Sequence, residues 1–290
     1  MRGNCRVMDV KRARTAGFCM GVSLALHKLD RLLQQNGAQP IHTLGPIIHN
    51  PQVLEHYAAR GVTRQDDPDA LPRNAQVVIR AHGVPQAVEE HLRNRGVEIL
   101  DATCPKVKRA QLLIQKQASQ GRKLLLFGEP DHPEVVGLVS YAGPGCLVFQ
   151  DLETLTALPV EPGQAYVLAS QTTQDRRRFE DVRAWLQARL GADLPVLETI
   201  CDATRERQDE AKALAETVDV MVVVGGFDSG NTRRLVDVAV AAGAPCHHVE
   251  TADGLDPAAF AGRRLAGLTA GASTPKHIID AVESRLRAFA

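Results

Sequence analysis

The sequence predicts an α/β fold in which three similar modules surround one centre. Short β-branched runs alternate with helical stretches along the chain, which is the pattern of a mostly parallel sheet flanked by helices. Three segments of the 290-residue chain also align with one another, and each begins with a cysteine where a strand passes into a helix. A chain of this length has room for repeated modules of that size.

The first half of each predicted module is a helix, a strand, a polar loop at the end of that strand, and a second helix. The helices begin at Cys19, Cys104 and Cys201, and the strands are Ile41–Leu44, Leu124–Phe127 and Val220–Val224. The first helix is predicted to end near Gly37, because glycine commonly stops a helix. The modules are predicted to span residues 19–103, 104–200 and 201–287.

The second half of each module is a strand with its own polar loop, a helix and a closing strand. The strands with loops are Val77–Arg80, Tyr166–Ala169 and Leu265–Leu268. The closing strands Val97–Leu100 and Val196–Thr199 lead to the next cysteines. Residues 7–18 are predicted to close the ring, with Val7–Val10 as the last strand of the third module. Loops that follow parallel strands share one edge of a sheet, so the cysteines and polar loops are expected to meet.

The composition excludes several classes of protein. Lysine plus arginine equals aspartate plus glutamate, at 34 each, so no basic excess points to nucleic acid or a membrane surface. The sequence contains neither a signal peptide nor an apolar run of about 18 residues. Six cysteines in such a chain indicate reduced thiols and a cytoplasmic protein. No Gly-x-Gly-x-x-Gly or P-loop indicates a bound flavin or nucleotide.

Cys19, Cys104 and Cys201 are the candidate metal ligands, since a thiol at a helix start is favoured as thiolate. Structural zinc prefers four ligands, commonly in close pairs, whereas three thiolates suit an iron–sulfur cubane with one open iron. Three unrelated buried cysteines are the ordinary alternative, which their matched positions disfavour. Cys146 and Cys246 are expected to be core thiols, and Cys5 a tail residue.

The polar loops are rich in histidine, serine, threonine and asparagine. The candidates are His49, His82, His132, Thr172, Thr173, Ser229, Asn231, Ser273 and Thr274. Helix starts with such side chains bind anions, and a diphosphate would fit, although each residue alone could be a plain helix cap. Glu134 is a candidate proton donor, because a carboxyl group beside an anion has a raised pKa, and helix capping is the alternative.

The ordered motifs resemble the 4-hydroxy-3-methylbut-2-enyl diphosphate reductase family. They include Gly17-Phe18-Cys19, Ile48-His49-Asn50, Ala81-His82-Gly83, Asp101-Ala102-Thr103-Cys104-Pro105, His132-Pro133-Glu134, Gln171-Thr172-Thr173, Cys201 with Arg207-Gln208, Asp228 to Asn231, and Thr269 to Ser273. The resemblance runs from about Val10 to Arg287 and implies a trefoil of three α/β modules around one 4Fe-4S cluster.

The resemblance also implies roles for single residues. Cys19, Cys104 and Cys201 would hold the cluster, and Glu134 with Thr172 would protonate the leaving hydroxyl of the substrate. The substrate contacts would be His49, His82, His132, Thr172, Ser229, Gly230, Asn231 and Ser273. Gly230 stands where many relatives have a second serine, so a side-chain contact is lost there. The implied reaction is a reductive dehydroxylation of the methylerythritol phosphate pathway of isoprene biosynthesis, with electrons from a separate ferredoxin or flavodoxin.

Two other functions remain open from the residues alone. A dehydration enzyme similar to quinolinate synthase would also use a three-cysteine cluster, but it would need carboxylate-binding arginines in the polar loops, which have none. An electron carrier or iron sensor would have no buried anion site and no role for Glu134.

Overall fold

The protein is described here by a computed structural model that covers residues 8–35 and 39–289. Its strands form three separate parallel sheets. The first sheet contains β2 (Ile41–Leu44), β3 (Val62–Gln65), β4 (Gln76–Ile79) and β5 (Glu98–Asp101), in the order β3-β2-β4-β5. Every neighbouring pair in this sheet is parallel. Some sequence-based predictions concern residues outside the described ranges, namely Cys5, Val7 and Gly37.

The second sheet contains β6 (Lys123–Phe127), β7 (Leu147–Phe149) and β8 (Tyr166–Ser170), in the order β7-β6-β8. The predicted closing strand Val196–Thr199 is wrong as a regular strand, because only a single bridge joins Val196 to Leu168. The backbone pairing stops there because the Thr199 side chain, rather than the backbone of this segment, forms the hydrogen bonds to the Ser170 backbone. The Thr199 hydroxyl accepts the Ser170 N–H at 2.8 Å and donates to the Ser170 carbonyl at 2.7 Å.

The third sheet contains β1 (Asp9–Arg12), β9 (Val220–Val224), β10 (Cys246–Val249) and β11 (Leu265–Ala270), in the order β1-β11-β9-β10. The N-terminal strand β1 therefore pairs with the last strand of the chain. The same connectivity appears in all three sheets. In each, one strand lies between the two strands that follow it in the chain: β2 between β3 and β4, β6 between β7 and β8, and β9 between β10 and β11. The module boundaries at 19–103, 104–200 and 201–287 stay a prediction.

α-Helices connect most successive strands, whereas the β3–β4 and β10–β11 connections contain only short 3-10 helical turns. The α-helices are α1 (Met20–Gln35), α2 (Pro51–Ala58), α3 (Gln86–Asn94), α4 (Pro105–Ala118), α5 (Pro133–Val139), α6 (Leu152–Thr156), α7 (Arg176–Leu190), α8 (Asp202–Ala215), α9 (Gly230–Ala241) and α10 (Lys276–Arg287). Proline is the first residue of α2, α4 and α5, where its missing N–H costs no hydrogen bond. Within the described ranges, no helix is long and apolar enough to cross a bilayer.

The hydrophobic cores lie between the sheets and helices whose apolar residues recur at helical spacing. The buried faces of α7 and α10 consist of Phe179, Val182 and Leu186, and of Ile279, Val282 and Leu286. Each such side chain contributes about 1.5–3 kcal/mol by burial. Phe127 at the end of β6 packs against Phe149 and Phe179, which anchors the loop that follows it.

The described residues group into two compact units. One unit is formed from residues 8–20, 49–53 and 202–289, and it contains the third sheet. The other is formed from residues 21–35, 39–48 and 54–201, and it contains the first and second sheets.

Candidate active site

Each of the three predicted cysteine ligands directly precedes a helix. Cys104 is the N-cap residue of α4, Cys19 precedes α1, and Cys201 precedes α8. The backbone N–H of each cysteine donates to a carbonyl in a polar loop that follows a strand. The pairs are Cys19 with Ala272 at 3.1 Å, Cys104 with Ala81 at 2.9 Å and Cys201 with Thr172 at 3.1 Å. The same bond therefore holds all three cysteine turns.

The other two cysteines of the described ranges, Cys146 and Cys246, have a different environment. Cys146 directly precedes β7 and Cys246 begins β10, and both pack against apolar core residues. Burial raises the pKa of both thiols to about 11. Both are therefore protonated at neutral pH and suit a core better than a metal site, because metals bind the thiolate.

The Cys19 turn is also held by two side chains of α8. The buried Arg207 guanidinium donates to the Gly17 carbonyl at 2.7 Å and to the Ala203 carbonyl at 3.0 Å. The Glu210 carboxylate accepts the Thr15 N–H at 2.9 Å and the Thr15 hydroxyl at 2.7 Å. Sequence reasoning assigned no role to Arg207, and its place after Cys201 in α8 was the available signal.

Glu134 and Thr172 form a buried pair. The Thr172 N–H donates to one carboxyl oxygen at 2.6 Å and the Thr172 hydroxyl donates to the other at 2.9 Å. The side chain of Glu134 is almost fully buried, and desolvation raises its pKa to about 7 although both Thr172 bonds lower it. A carboxyl group with that pKa can hold a proton and release it near neutral pH.

The capping alternative for Glu134 is wrong. The N-cap residue of α5 is His132, whose Nδ1 accepts the Glu134 N–H at 3.1 Å. In neutral His132 this bond leaves the proton on Nε2, which makes Nε2 a donor suited to an anion. The ring of His82 lies edge-on to that of His132, with 5.5 Å between centroids.

Three of the predicted anion contacts, Ser229, Gly230 and Asn231, lie at the start of α9. Ser229 is the N-cap residue of α9, and its hydroxyl oxygen accepts the Thr232 N–H at 3.3 Å. Gly230 is the first residue of that helix. The Asn231 side chain is buried, and within the described residues its Nδ2 has no hydrogen-bond partner. Because a buried unpaired amide is costly, Asn231 fits a ligand contact.

His49 and Ser273 are joined by a hydrogen bond from the Ser273 hydroxyl to the His49 carbonyl, at 3.0 Å. Gly226 lies against the same carbonyl, since a Cβ there would be only 2.9 Å from it. Two other predicted polar residues serve the fold instead. The Thr173 hydroxyl accepts from Gln171 at 3.1 Å, and the Thr274 hydroxyl donates to the Val224 carbonyl at 2.9 Å.

The candidate residues are divided between the two compact units. One unit contains Cys19, His49, Ser229, Gly230, Asn231 and Ser273. The other contains His82, Cys104, His132, Glu134, Thr172 and Cys201. Nearly all lie in loops after parallel strands or at helix starts, where α/β proteins place their reactive groups.

These features define a parallel α/β protein with three matched cysteine turns and a buried carboxyl group whose pKa is raised to about 7. The chain belongs to the LytB protein family, which matches residues 10–287. The family resemblance and the α/β fold class predicted from the sequence are thereby confirmed.

Relatives match the chain over nearly its whole length. A protein of Oleidesulfovibrio alaskensis, named 4-hydroxy-3-methylbut-2-enyl diphosphate reductase, is 60% identical over 97% of this chain and 100% of its own. A protein of Geobacter sulfurreducens with the same name is 42% identical over 97% of this chain and 98% of its own.

Two solved structures are also similar. One is the structure of (E)-4-hydroxy-3-methyl-but-2-enyl diphosphate reductase, the terminal enzyme of the non-mevalonate pathway. It is 37% identical, covers 97% of this chain and 99% of its own, and has a TM-score of 0.68. The other, the E-1-hydroxy-2-methyl-but-2-enyl-4-diphosphate reductase of Plasmodium falciparum, has a TM-score of 0.90 with 94% and 86% coverage. At 24% identity the second structure shows the fold alone.

Proposed function

We propose that this chain is an oxidoreductase that converts 4-hydroxy-3-methylbut-2-enyl diphosphate to isopentenyl and dimethylallyl diphosphate. The overall reaction consumes two electrons and two protons, breaks one C–O bond and releases water. Relatives named 4-hydroxy-3-methylbut-2-enyl diphosphate reductase, one of them 60% identical over its whole length, support the proposal. The quinolinate-synthase-like and electron-carrier functions have no such relatives among those described above.

The observation that carries the proposal is the Glu134–Thr172 pair. A leaving hydroxyl needs a proton, and the pair can hold one at a buried site with a pKa of about 7. The Thr172 hydroxyl can pass that proton on, since a hydroxyl both donates and accepts. A simple electron carrier would have no use for a buried acid of this kind.

Cys19, Cys104 and Cys201 would hold one 4Fe-4S cluster. Their matched positions before helices and their three equivalent backbone bonds fit one shared metal group. When bound, such a cluster supplies single electrons and an open iron position. Cys146 and Cys246 pack against apolar core residues and have raised pKa values, which argues against them as ligands.

The diphosphate would be bound by neutral donors and helix starts. Nε2 of His132, the amide of Asn231 and the backbone N–H groups at the start of α9 supply hydrogen bonds without a salt bridge. His49, His82, Ser229 and Ser273 complete the proposed set, and Gly230 offers its backbone N–H. The absence of arginine from these loops favours this ligand over a dicarboxylate.

The two electrons would come one at a time from a separate ferredoxin or flavodoxin in the reducing cytoplasm. The test is anaerobic reconstitution with iron and sulfide, followed by metal analysis and an absorption spectrum with and without substrate. We expect about four irons per chain, a spectral change on adding the allylic diphosphate, and product formation with dithionite. An unchanged spectrum and no product would identify a carrier or sensor instead.

A further inference from the structure

An open cleft of about 570 Å³ lies beside α4. Thr103 and Pro105, the two neighbours of Cys104 in the chain, both line it. The rest of the lining is Lys28, Asp101, Lys108, Arg109, Leu112, Leu113 and Lys116. This α4 cleft therefore joins the protein surface to the turn that carries one proposed cluster ligand.

The charged residues of α4 are all basic. Its sequence contains Lys106, Lys108, Arg109 and Lys116 and no acidic residue, although the whole chain has no net charge. Four cations and one acid line the cleft. Lys108 is paired with Asp101 at 3.0 Å, and Lys28 donates to the Asp101 carbonyl at 2.7 Å. These contacts provide partners for the half-buried charged residues of the lining.

The exposed residues of the lining are different. Arg109 and Lys116 are exposed, and neither forms an ion pair with any other described residue. Leu112 lies between them on the same helix face and is 62% exposed. An apolar centre flanked by unpaired cations is the pattern of a surface that binds an acidic protein transiently.

We propose that the α4 cleft is the docking surface for a small acidic electron-carrier protein, a role that rests on the proposed function. The helix rises about 1.5 Å per residue, so Arg109 and Leu112 lie about 8 and about 12 Å along the axis from Cys104. A carrier seated on this face is thus brought close to the Cys104 turn. Each docked carrier gives up one electron, and two successive carriers supply the pair that one substrate consumes.

The test compares a charge-reversal variant with a matched control. The variant is Arg109→Glu/Lys116→Glu, and Leu112→Ser is made separately because it changes no charge. The control is Arg263→Glu/Arg264→Glu, which reverses two exposed cations in the loop before β11, at the other end of the strand from its polar loop. Each reconstituted protein is assayed with dithionite and with purified acidic ferredoxin and flavodoxin at low and high salt.

We expect dithionite-driven turnover to be unchanged in every variant, since none of these residues touches the proposed active site. Carrier-driven kcat/KM for the carrier should fall about 10-fold or more at low salt in the charge-reversal variant, and the difference should shrink at high salt. Leu112→Ser should also weaken carrier-driven turnover, and the Arg263/Arg264 control should match the wild type.

Two results would overturn the docking surface alone. One is equal carrier-driven rates in the α4 variants and the wild type. The other is a wild type that turns over with dithionite but accepts electrons from neither carrier. A wild type with a full cluster and no dithionite-driven turnover would instead contradict the proposed function.

Discussion

Thr172 donates two hydrogen bonds to one partner, Glu134: its backbone N–H to one carboxyl oxygen at 2.6 Å and its hydroxyl to the other at 2.9 Å. The Thr172 carbonyl in turn accepts the Cys201 N–H at 3.1 Å. One residue therefore orients the proposed acid and one proposed cluster turn together. This shared positioning would fix the proposed proton donor relative to the proposed cluster.

Glu134→Gln is expected to reduce turnover by about 10²-fold or more, because an amide cannot act as an acid. The fold and iron content should remain, since glutamine can accept the Thr172 N–H and donate to the Thr172 hydroxyl. Turnover with dithionite and iron analysis on the same sample measure both effects. Asp131→Asn is the control, because it neutralises an exposed acid of the same loop. Near-normal turnover of the glutamine variant would remove Glu134 from the reaction.

The stability of the cluster-free protein should depend on pH through Glu134. The pKa of Glu134 is raised to about 7 in the folded protein from an ordinary 4.5. As pH rises, the Glu134 carboxyl group therefore loses its proton in the unfolded chain before it does so in the folded protein. The wild type should therefore lose stability between these pH values, by about 3 kcal/mol at most.

Glu134→Gln lacks this ionisation, so it should gain stability relative to the wild type as pH rises from 4.5 to 8. Urea unfolding of both proteins at the two pH values gives the difference. Because the other titrating groups are common to both proteins, their effects cancel. A difference that does not change with pH would mean that the folded pKa is ordinary.

Thr172→Val should lower turnover and shift its pH profile upward. The hydroxyl favours the charged carboxylate, so its loss raises the pKa of Glu134, while the backbone N–H bond remains. A loss of about 10-fold is expected for one hydrogen bond in a proton path. Thr172→Ser should restore most of the rate and the profile. A valine variant with an unshifted profile would place the hydroxyl outside the proton path.

Cys19→Ser, Cys104→Ser and Cys201→Ser should each lose the cluster, because a hydroxyl is a poor ligand for iron. Cys146→Ser and Cys246→Ser are the controls, since both thiols lie in the core with raised pKa values. Iron and sulfide content after anaerobic reconstitution is the measurement. Full iron content in any of the first three variants would exclude that cysteine as a ligand.

Arg207→Gln should loosen the Cys19 turn. The change removes a buried bond to the Gly17 carbonyl, and the unfolding free energy should fall by about 2 kcal/mol. The reconstituted variant should also lose iron to a chelator faster than the wild type. Arg205→Gln on the same helix removes an exposed pair with Asp202 and should change the unfolding free energy by less than about 0.5 kcal/mol. Equal iron loss in both variants would refute the positioning role of Arg207.

The sequence by itself determined the α/β fold class and the position of each cysteine before a helix. These features depend on local patterns: apolar runs of strand length, proline at helix starts such as Pro105 and Pro133, and glycine at helix ends. The repeat made three isolated cysteines recognisable as one set. Local rules failed at Val196–Thr199, where the Thr199 hydroxyl takes the place of the strand's backbone bonds.

Only the tertiary structure excluded helix capping by Glu134. From spacing alone a helix cap and a proton donor were equally good interpretations, because both need an acid near a helix start. The fold gives the cap to His132 and places the carboxyl group against Thr172, 38 residues further along the chain. Its raised pKa comes from desolvation, and Arg207 likewise acquires its role from burial against Gly17. Burial and distant partners are products of the folded chain, so no local pattern contains them.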